Sequence, residues 1–197
     1  MENLLLLTVY LIIVSLTFSK AVESLETQAV IEGDSKSLNE IIEEYQLKDL
    51  IEIKFKLPSK YQISEFKHLP FSIKNKSKDS SIDIDWDRSS IMDFENVGRR
   101  AIRVLDNEKE VPQKQVATIL VPGESRDIKV SDEKFDDPLF DSKSLKKMIE
   151  KSEKFRLVLS LKVFQPDGKT STYPIPLQFI PKNLTWTKAL YLALQPK

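Results

Sequence analysis

Three rhythms of apolar and polar residues run along this chain, and each predicts a different element. From Leu4 to Phe18 the sequence LLLLTVYLIIVSLTF is apolar and uncharged with no polar face. A helix packed on a water-facing domain needs a polar side, so this stretch does not read as a core helix. It is 15 residues long, and Ser19, Ala21 and Val22 around Lys20 extend it. A bilayer core of ~30 Å asks for about 20 residues at ~1.5 Å each. Two readings fit. One is an uncleaved transmembrane anchor with Lys20 snorkelling at the boundary. The other is a signal peptide cut at the small-x-small triplet Ser19-Lys20-Ala21. The start carries Glu2 and no Lys or Arg, which favours the anchor. Lys20 follows the run, so the positive-inside rule points the rest of the chain to the cytoplasm, with Glu23 and Glu26 weakening that signal.

A helical rhythm comes next. Residues 21–36 read as a polar stalk, and Ser37-Leu38-Asn39-Glu40 is a capping box that starts a helix. Leu38, Ile41, Ile42 and Tyr45 then form one apolar stripe.

From Asp49 the period is two. Ile51, Ile53, Phe55 and Leu57 alternate with charged residues, and Leu69, Phe71 and Ile73 repeat the pattern. So do Ile82, Ile84 and Trp86, then Ala101–Leu105, Val116–Val121, and Ile128 with Val130. Phe155, Leu157, Leu159, Leu161 and Val163 form the strongest run, followed by the turn Gln165-Pro166-Asp167-Gly168. Tyr173, Ile175, Leu177 and Phe179 alternate again, and Pro174 and Pro176 predict that this strand is an edge. Ser144, Leu145, Met148 and Ile149 suggest a helix inserted between strands, capped by Asp141 or Ser142.

About eight short strands without alternating long helices exclude a parallel sheet. The expected fold is mainly β: an antiparallel immunoglobulin-like β-sandwich with an N-terminal transmembrane helix and short flanking helices. The expected divisions are an anchor or signal segment at 1–22, a polar stalk and amphipathic helix at 23–48, the sandwich at 49–182 and a C-terminal amphipathic helix at 183–197. In that last segment Trp186, Ala189, Leu190 and Ala193 share a face, widened by Tyr191, Leu192 and Leu194. Three roles fit it: docking on the sandwich, lying at a membrane interface, or meeting a protein partner.

Composition narrows the chemistry. Lys and Arg number 30, as do Asp and Glu, so the chain offers no broad basic field for nucleic acid. Four glycines exclude a glycine-rich binding scaffold, and the absence of cysteine removes disulfides, thiolate metal sites and a cysteine nucleophile.

The three alternating aspartates Asp83, Asp85 and Asp87 are the most suggestive carboxylates. With Ile82, Ile84 and Trp86 turned inward, these three turn outward. Neighbours on one strand face sit ~6.6 Å apart, too far for all three to share an ion whose oxygens lie at ~2.3–2.6 Å. A calcium loop would also need Gly where Arg88 stands and Glu where Phe94 stands. They read as the wet side of a strand, either blunting a sheet edge or pairing with Arg99, Arg100 or Arg103. His68 is the only histidine, and no Gly-x-Ser-x-Gly elbow accompanies it. Asn75-Lys76-Ser77 and Asn183-Leu184-Thr185 match the glycosylation acceptor pattern. The expectation is therefore no catalytic, cofactor-binding or metal-binding residue.

The runs from Asn75 to Ser77, Ile82 to Ser90, Arg99 to Val104 and Val121 to Gly123 together resemble bacterial membrane-anchored or lipoprotein-type β-sandwich proteins of largely unassigned function. The resemblance covers about half of the part beyond the anchor. It implies an immunoglobulin-like sandwich tethered near a membrane and supplies no catalytic residue. This chain lacks the lipid-bearing cysteine of the lipoproteins, so anchoring falls to residues 4–18. The expected function is a membrane-anchored, non-catalytic interaction or structural module. Its partners would be a membrane through the N-terminal helix and an unidentified protein, with no nucleic acid. The rival expectation is a secreted or envelope hydrolase with paired carboxylates.

Overall fold

The computed structural model describes residues 2–105, 113–135 and 137–194. Helix α1, Glu2–Glu26, runs without a break through the Ser19-Lys20-Ala21 triplet and leads into strand β1, Gln28–Gly33. Part of the expected stalk is thus a sheet strand in which Ala29, Val30 and Ile31 are buried. Its three consecutive apolar residues follow neither period, which hid it from pattern reading.

Helix α2, Ser35–Glu44, begins before the expected capping box. Asp34 caps it, its carboxylate accepting from the Ser37 amide. Aspartate at that position satisfies an orphan first-turn donor as well as serine would. Leu38 and Ile42 are buried, and Ile41 and Tyr45 pack at the rim of the core.

The remaining described strands are β2 (Ile51–Phe55), β3 (Tyr61–Gln62), β4 (Leu69–Asn75), β5 (Ser81–Met92), β6 (Gly98–Arg100), β7 (Ile102–Arg103), β8 (Thr118–Leu120), β9 (Ser125–Ser131), β10 (Phe155–Phe164) and β11 (Thr170–Asn183). Helix α3, Ser142–Glu150, lies between β9 and β10, capped by Asp141 as expected. Helix α4, Trp186–Leu194, follows β11. The described strands form two antiparallel sheets. One has the order β3-β1-β11-β10-β5-β6, with β8 beside β5; the other is β2-β4-β9-β7. Their inner faces contribute to one continuous core. Phe155 and Phe179 stack at 5.1 Å, and Phe66 and Phe140 extend the aromatic layer toward α3.

One strand expectation needs correction, and another holds for half of its strand. β5 is an interior strand, flanked by β10 and by β6 and β8, so its aspartates do not blunt an edge. β11 is interior too, but only in part. It pairs with β10 from Thr170 to Phe179 and with β1 from Phe179 to Asn183. Pro174 and Pro176 fall where one side has no ladder partner among the described strands, so the missing N–H groups cost nothing there.

β5 also runs past its expected end at a bulge. Asp85 faces Ser160 and Ser90 faces Val158, so the four residues from Trp86 to Ser89 oppose Leu159 alone. Ser89 Oγ donates to the Asp85 carbonyl at 2.7 Å and accepts from the Ser160 amide at 3.1 Å. The hydroxyl replaces the ladder bond that the bulge breaks.

Candidate functional site

The most exposed apolar surface belongs to α1. From Leu4 to Phe18 its large side chains are 45% exposed at the least, at Val9 and Val14, and 70% at Leu4 and Phe18. Successive residues turn by ~100°, so consecutive exposed positions cover every side of the helix. Its two threonines bond inward: Thr8 Oγ1 donates to the Leu4 carbonyl at 2.8 Å and Thr17 Oγ1 to the Ile13 carbonyl at 2.7 Å. Hydroxyls satisfied within their own helix are compatible with an apolar surrounding.

Among the described residues, no helix is long and apolar enough to cross a membrane. At ~1.5 Å per residue the uncharged run gives ~22 Å against a hydrocarbon core of ~30 Å. The expected transmembrane segment is therefore present as an exposed apolar helix, shorter in its apolar part than the expectation required.

α1 ends three residues before Ala29, and α4 begins three residues after Asn183. Ala29 and Asn183 face each other in the β1–β11 ladder, so both helices leave the sheet at one corner, where α4 lies against α1. Lys188 of α4 reaches Glu32 of β1 at 3.3 Å, and Lys182 holds the same carboxylate at 2.6 Å. The two ammonium groups, Lys182 first, keep the Glu32 carboxyl below its usual range. Trp186 and Tyr191 are 69% and 64% exposed. These described side chains do not dock on the sandwich, one of the three roles open to this segment.

The aspartates form a second surface. Ile82, Ile84 and Trp86 are buried, and Asp83, Asp85 and Asp87 point outward as the alternation required. Trp86 donates its indole N–H to Thr118 Oγ1 at 2.8 Å. Lys162 on β10 donates to Asp85 at 2.7 Å, and Arg100 on β6 bonds Asp87. These cations lower the Asp85 and Asp87 carboxyls, whereas burial raises that of Asp83. Of the arginines considered for these aspartates, Arg100 meets Asp87. Arg99 instead pairs with buried Asp132, and Arg103 donates to Thr118 Oγ1 at 2.7 Å. A cleft of about 630 Å³ lies here, lined by Asp85, Asp87, Arg88, Lys162, Lys114 and exposed Val116.

A second concavity, about 540 Å³, lies between the β5–β6 turn and the start of α3. Arg99 forms its base, with its guanidinium 4.9 Å from the Phe140 ring centroid and donating to the Leu139 carbonyl at 2.7 Å. At its rim Lys147 holds Glu95 at 2.9 Å. Here too cations sit against carboxylates.

His68 lies outside these surfaces, at the start of β4, and burial lowers its imidazole from the ordinary value. Asn75 is wholly buried, its amide donating to the carbonyls of Ser80 and Leu120 at 2.8 and 3.0 Å, so that acceptor triplet cannot take a glycan. Asn183 is exposed. Among the described residues, no group of three or more metal-ligating side chains converges. No protein family matches the chain, and neither a curated protein nor a solved structure does.

Proposed function

We propose that this protein is a membrane-anchored, non-catalytic β-sandwich module, held to a bilayer by α1 and working through contacts made by its folded domain. The observation that carries the reading is the apolar surface of α1, exposed on every side of the helix. A protein groove covers one face of a helix. Hydrocarbon covers all of them. Uncovered in water, twelve large apolar side chains within 15 residues would drive aggregation. α1 as a whole has 25 residues, so its flanks add length beyond the ~22 Å uncharged run, and local thinning of the bilayer reduces what is needed for a single pass.

The non-catalytic part rests on the charged groups. Asp85 and Asp87 each face a cation, as does Glu95 at the other cleft. A paired-carboxylate hydrolase needs one carboxyl kept protonated opposite another kept charged. Asp83 is raised by burial, but it stands on a strand face beside Lys162. The immunoglobulin-like assignment is part of the same proposal. Two antiparallel sheets over a common core and a buried tryptophan support it. The seven-to-four division of strands departs from the usual four-to-three. An unidentified protein partner would meet the clefts beside β5 and α3.

The test is flotation of the full chain with phosphatidylcholine vesicles after an alkaline carbonate wash. Retention in the floated fraction is expected. Release by carbonate, which strips peripheral proteins, would overturn the anchor.

A further inference from the structure

α4 lies beside α1, yet its aromatic residues face away from the sandwich. Its sequence, WTKALYLAL, is apolar apart from Thr187 and Lys188. A terminal helix of this composition ordinarily covers a sheet, but Trp186 and Tyr191 stay more than half exposed.

Three placements argue what covers them. α1 and α4 emerge from the paired ends of β1 and β11, so whatever surrounds α1 is adjacent to α4. Trp186 starts α4 as far from that ladder as Glu26 ends α1, about eight residues or ~12 Å from the end of the uncharged run. The nine residues of α4 extend up to ~13 Å further, enough to reach the headgroup layer, which adds several Å to each side of the core. Finally, tryptophan and tyrosine are the residues that favour that depth, apolar bodies with one polar tip.

We propose that α4 is a second membrane contact: it rests in the headgroup layer beside α1, with Trp186 and Tyr191 turned to lipid. The sandwich is then held with its β1–β11 corner against the bilayer rather than swinging on a single helix. The partner is a zwitterionic lipid surface. Lys182 and Lys188 are both engaged by Glu32, so this corner does not depend on anionic headgroups. The inference rests on the reading of α1 as the anchor and adds a second contact and an orientation to it.

The chain has two tryptophans, which makes the test spectroscopic. Trp86 is 1% exposed and gives a fixed background. The full chain is inserted into phosphatidylcholine vesicles brominated either near the headgroup or deep in the acyl chains. Shallow bromines are expected to remove most of the Trp186 emission and deep bromines little of it, with this quenching absent in Trp186→Phe. A second variant, Tyr191→Trp on the Trp186→Phe background, should restore shallow quenching. If instead the chain floats with vesicles while both reporter positions are quenched by aqueous iodide and not by bromolipid, α4 faces water; the inference fails and the anchor stands. A chain that does not float overturns both.

Discussion

The Phe55 ring of one sheet lies over the backbone of Gly33 in the other, so closely that a β-carbon on Gly33 would overlap it. The same ring meets Phe179 edge-on at 5.3 Å, and Phe179 is the ladder partner of Gly33. The absence of a side chain at residue 33 is what lets β2 close on β1. Gly33→Ala is therefore expected to destabilise the domain by about 1–3 kcal/mol, because a ring packed between Gly33 and Phe179 cannot move aside cheaply. Urea unfolding should show the loss, and Gly33→Ala with Phe55→Leu should recover part of it. Equal stability of Gly33→Ala and the natural chain would show that the ring gives way.

Asn75 joins the β4–β5 connection to β8. Its amide feeds two carbonyls, and its oxygen accepts from the Ser77 amide at 3.0 Å and hydroxyl at 2.7 Å. Asn75→Ala removes the side-chain donor to the Leu120 carbonyl and the acceptor of the Ser77 amide, while the Ser80 carbonyl keeps the Ser77 hydroxyl at 2.7 Å, and the expected loss is ~1–3 kcal/mol. Asn75→Asp should be worse, since it turns a carboxylate oxygen toward the carbonyls of Ser80 and Leu120. Comparing the two midpoints checks the order.

Asp83 and Asp85 should respond oppositely to pH. Burial lifts the Asp83 carboxyl above its ordinary 3.8, so the folded state holds that proton more tightly than the unfolded chain. Its contribution is full below about pH 3.8 and disappears as pH rises through the folded value, leaving a cost at neutrality. Asp83→Asn should raise stability at pH 7 by about 0.5 kcal/mol or less and give no gain near pH 3. Asp85 is lowered chiefly by its Lys162 hydrogen bond, so its contribution is present above about pH 3.8 and is lost as pH falls below that. Asp85→Asn should lose stability at pH 7 and little near pH 3. Unfolding midpoints of both variants at the two pH values test the pair of signs.

The Tyr61 hydroxyl is buried without a hydrogen-bond partner among the described residues, and burial pushes its ionisation far above the usual range. Its ring meets Phe66 edge-on at 4.8 Å. Tyr61→Phe keeps the ring contact and removes the orphan hydroxyl. Thermal unfolding should show stability unchanged or raised by up to ~1 kcal/mol. A clear loss would reveal a partner for the hydroxyl.

Elements with a strong period were readable in the sequence. Phe155 to Val163 and Ile82 to Trp86 fell in strands with the expected face inward, and Asp141 capped α3 as aspartate does. What escaped depends on partners far along the chain. β1 is apolar without a period because Ala29, Val30 and Ile31 are all buried, so both faces of this strand are covered. β3 is two residues long, and β6 is a Gly-Arg-Arg segment recruited by the end of β5. The bulge after Trp86 is written in Asp-Arg-Ser-Ser, but only Ser160 across the sheet turns that run into a kink. At the candidate surfaces, the outward aspartates were legible from alternation, and Arg100 was among the partners considered. The Asp85–Lys162 pair was not, since Lys162 lies 77 residues away. The shared corner of α1 and α4 follows from the β1–β11 register, which no local pattern encodes.

The central claim is that lipid surrounds α1, and a labelling scan of one helical turn tests it most directly. The chain has no cysteine, so Leu11→Cys, Ile12→Cys, Ile13→Cys and Val14→Cys each carry a single reporter. Each full-length variant in phosphatidylcholine vesicles is treated with a membrane-impermeant maleimide, with Ser59→Cys, at an exposed position, as the reactive control. Lipid on all sides predicts that all four positions resist labelling while Ser59→Cys reacts. Protection of one side of the turn with labelling of the other, or labelling at all four, would contradict it.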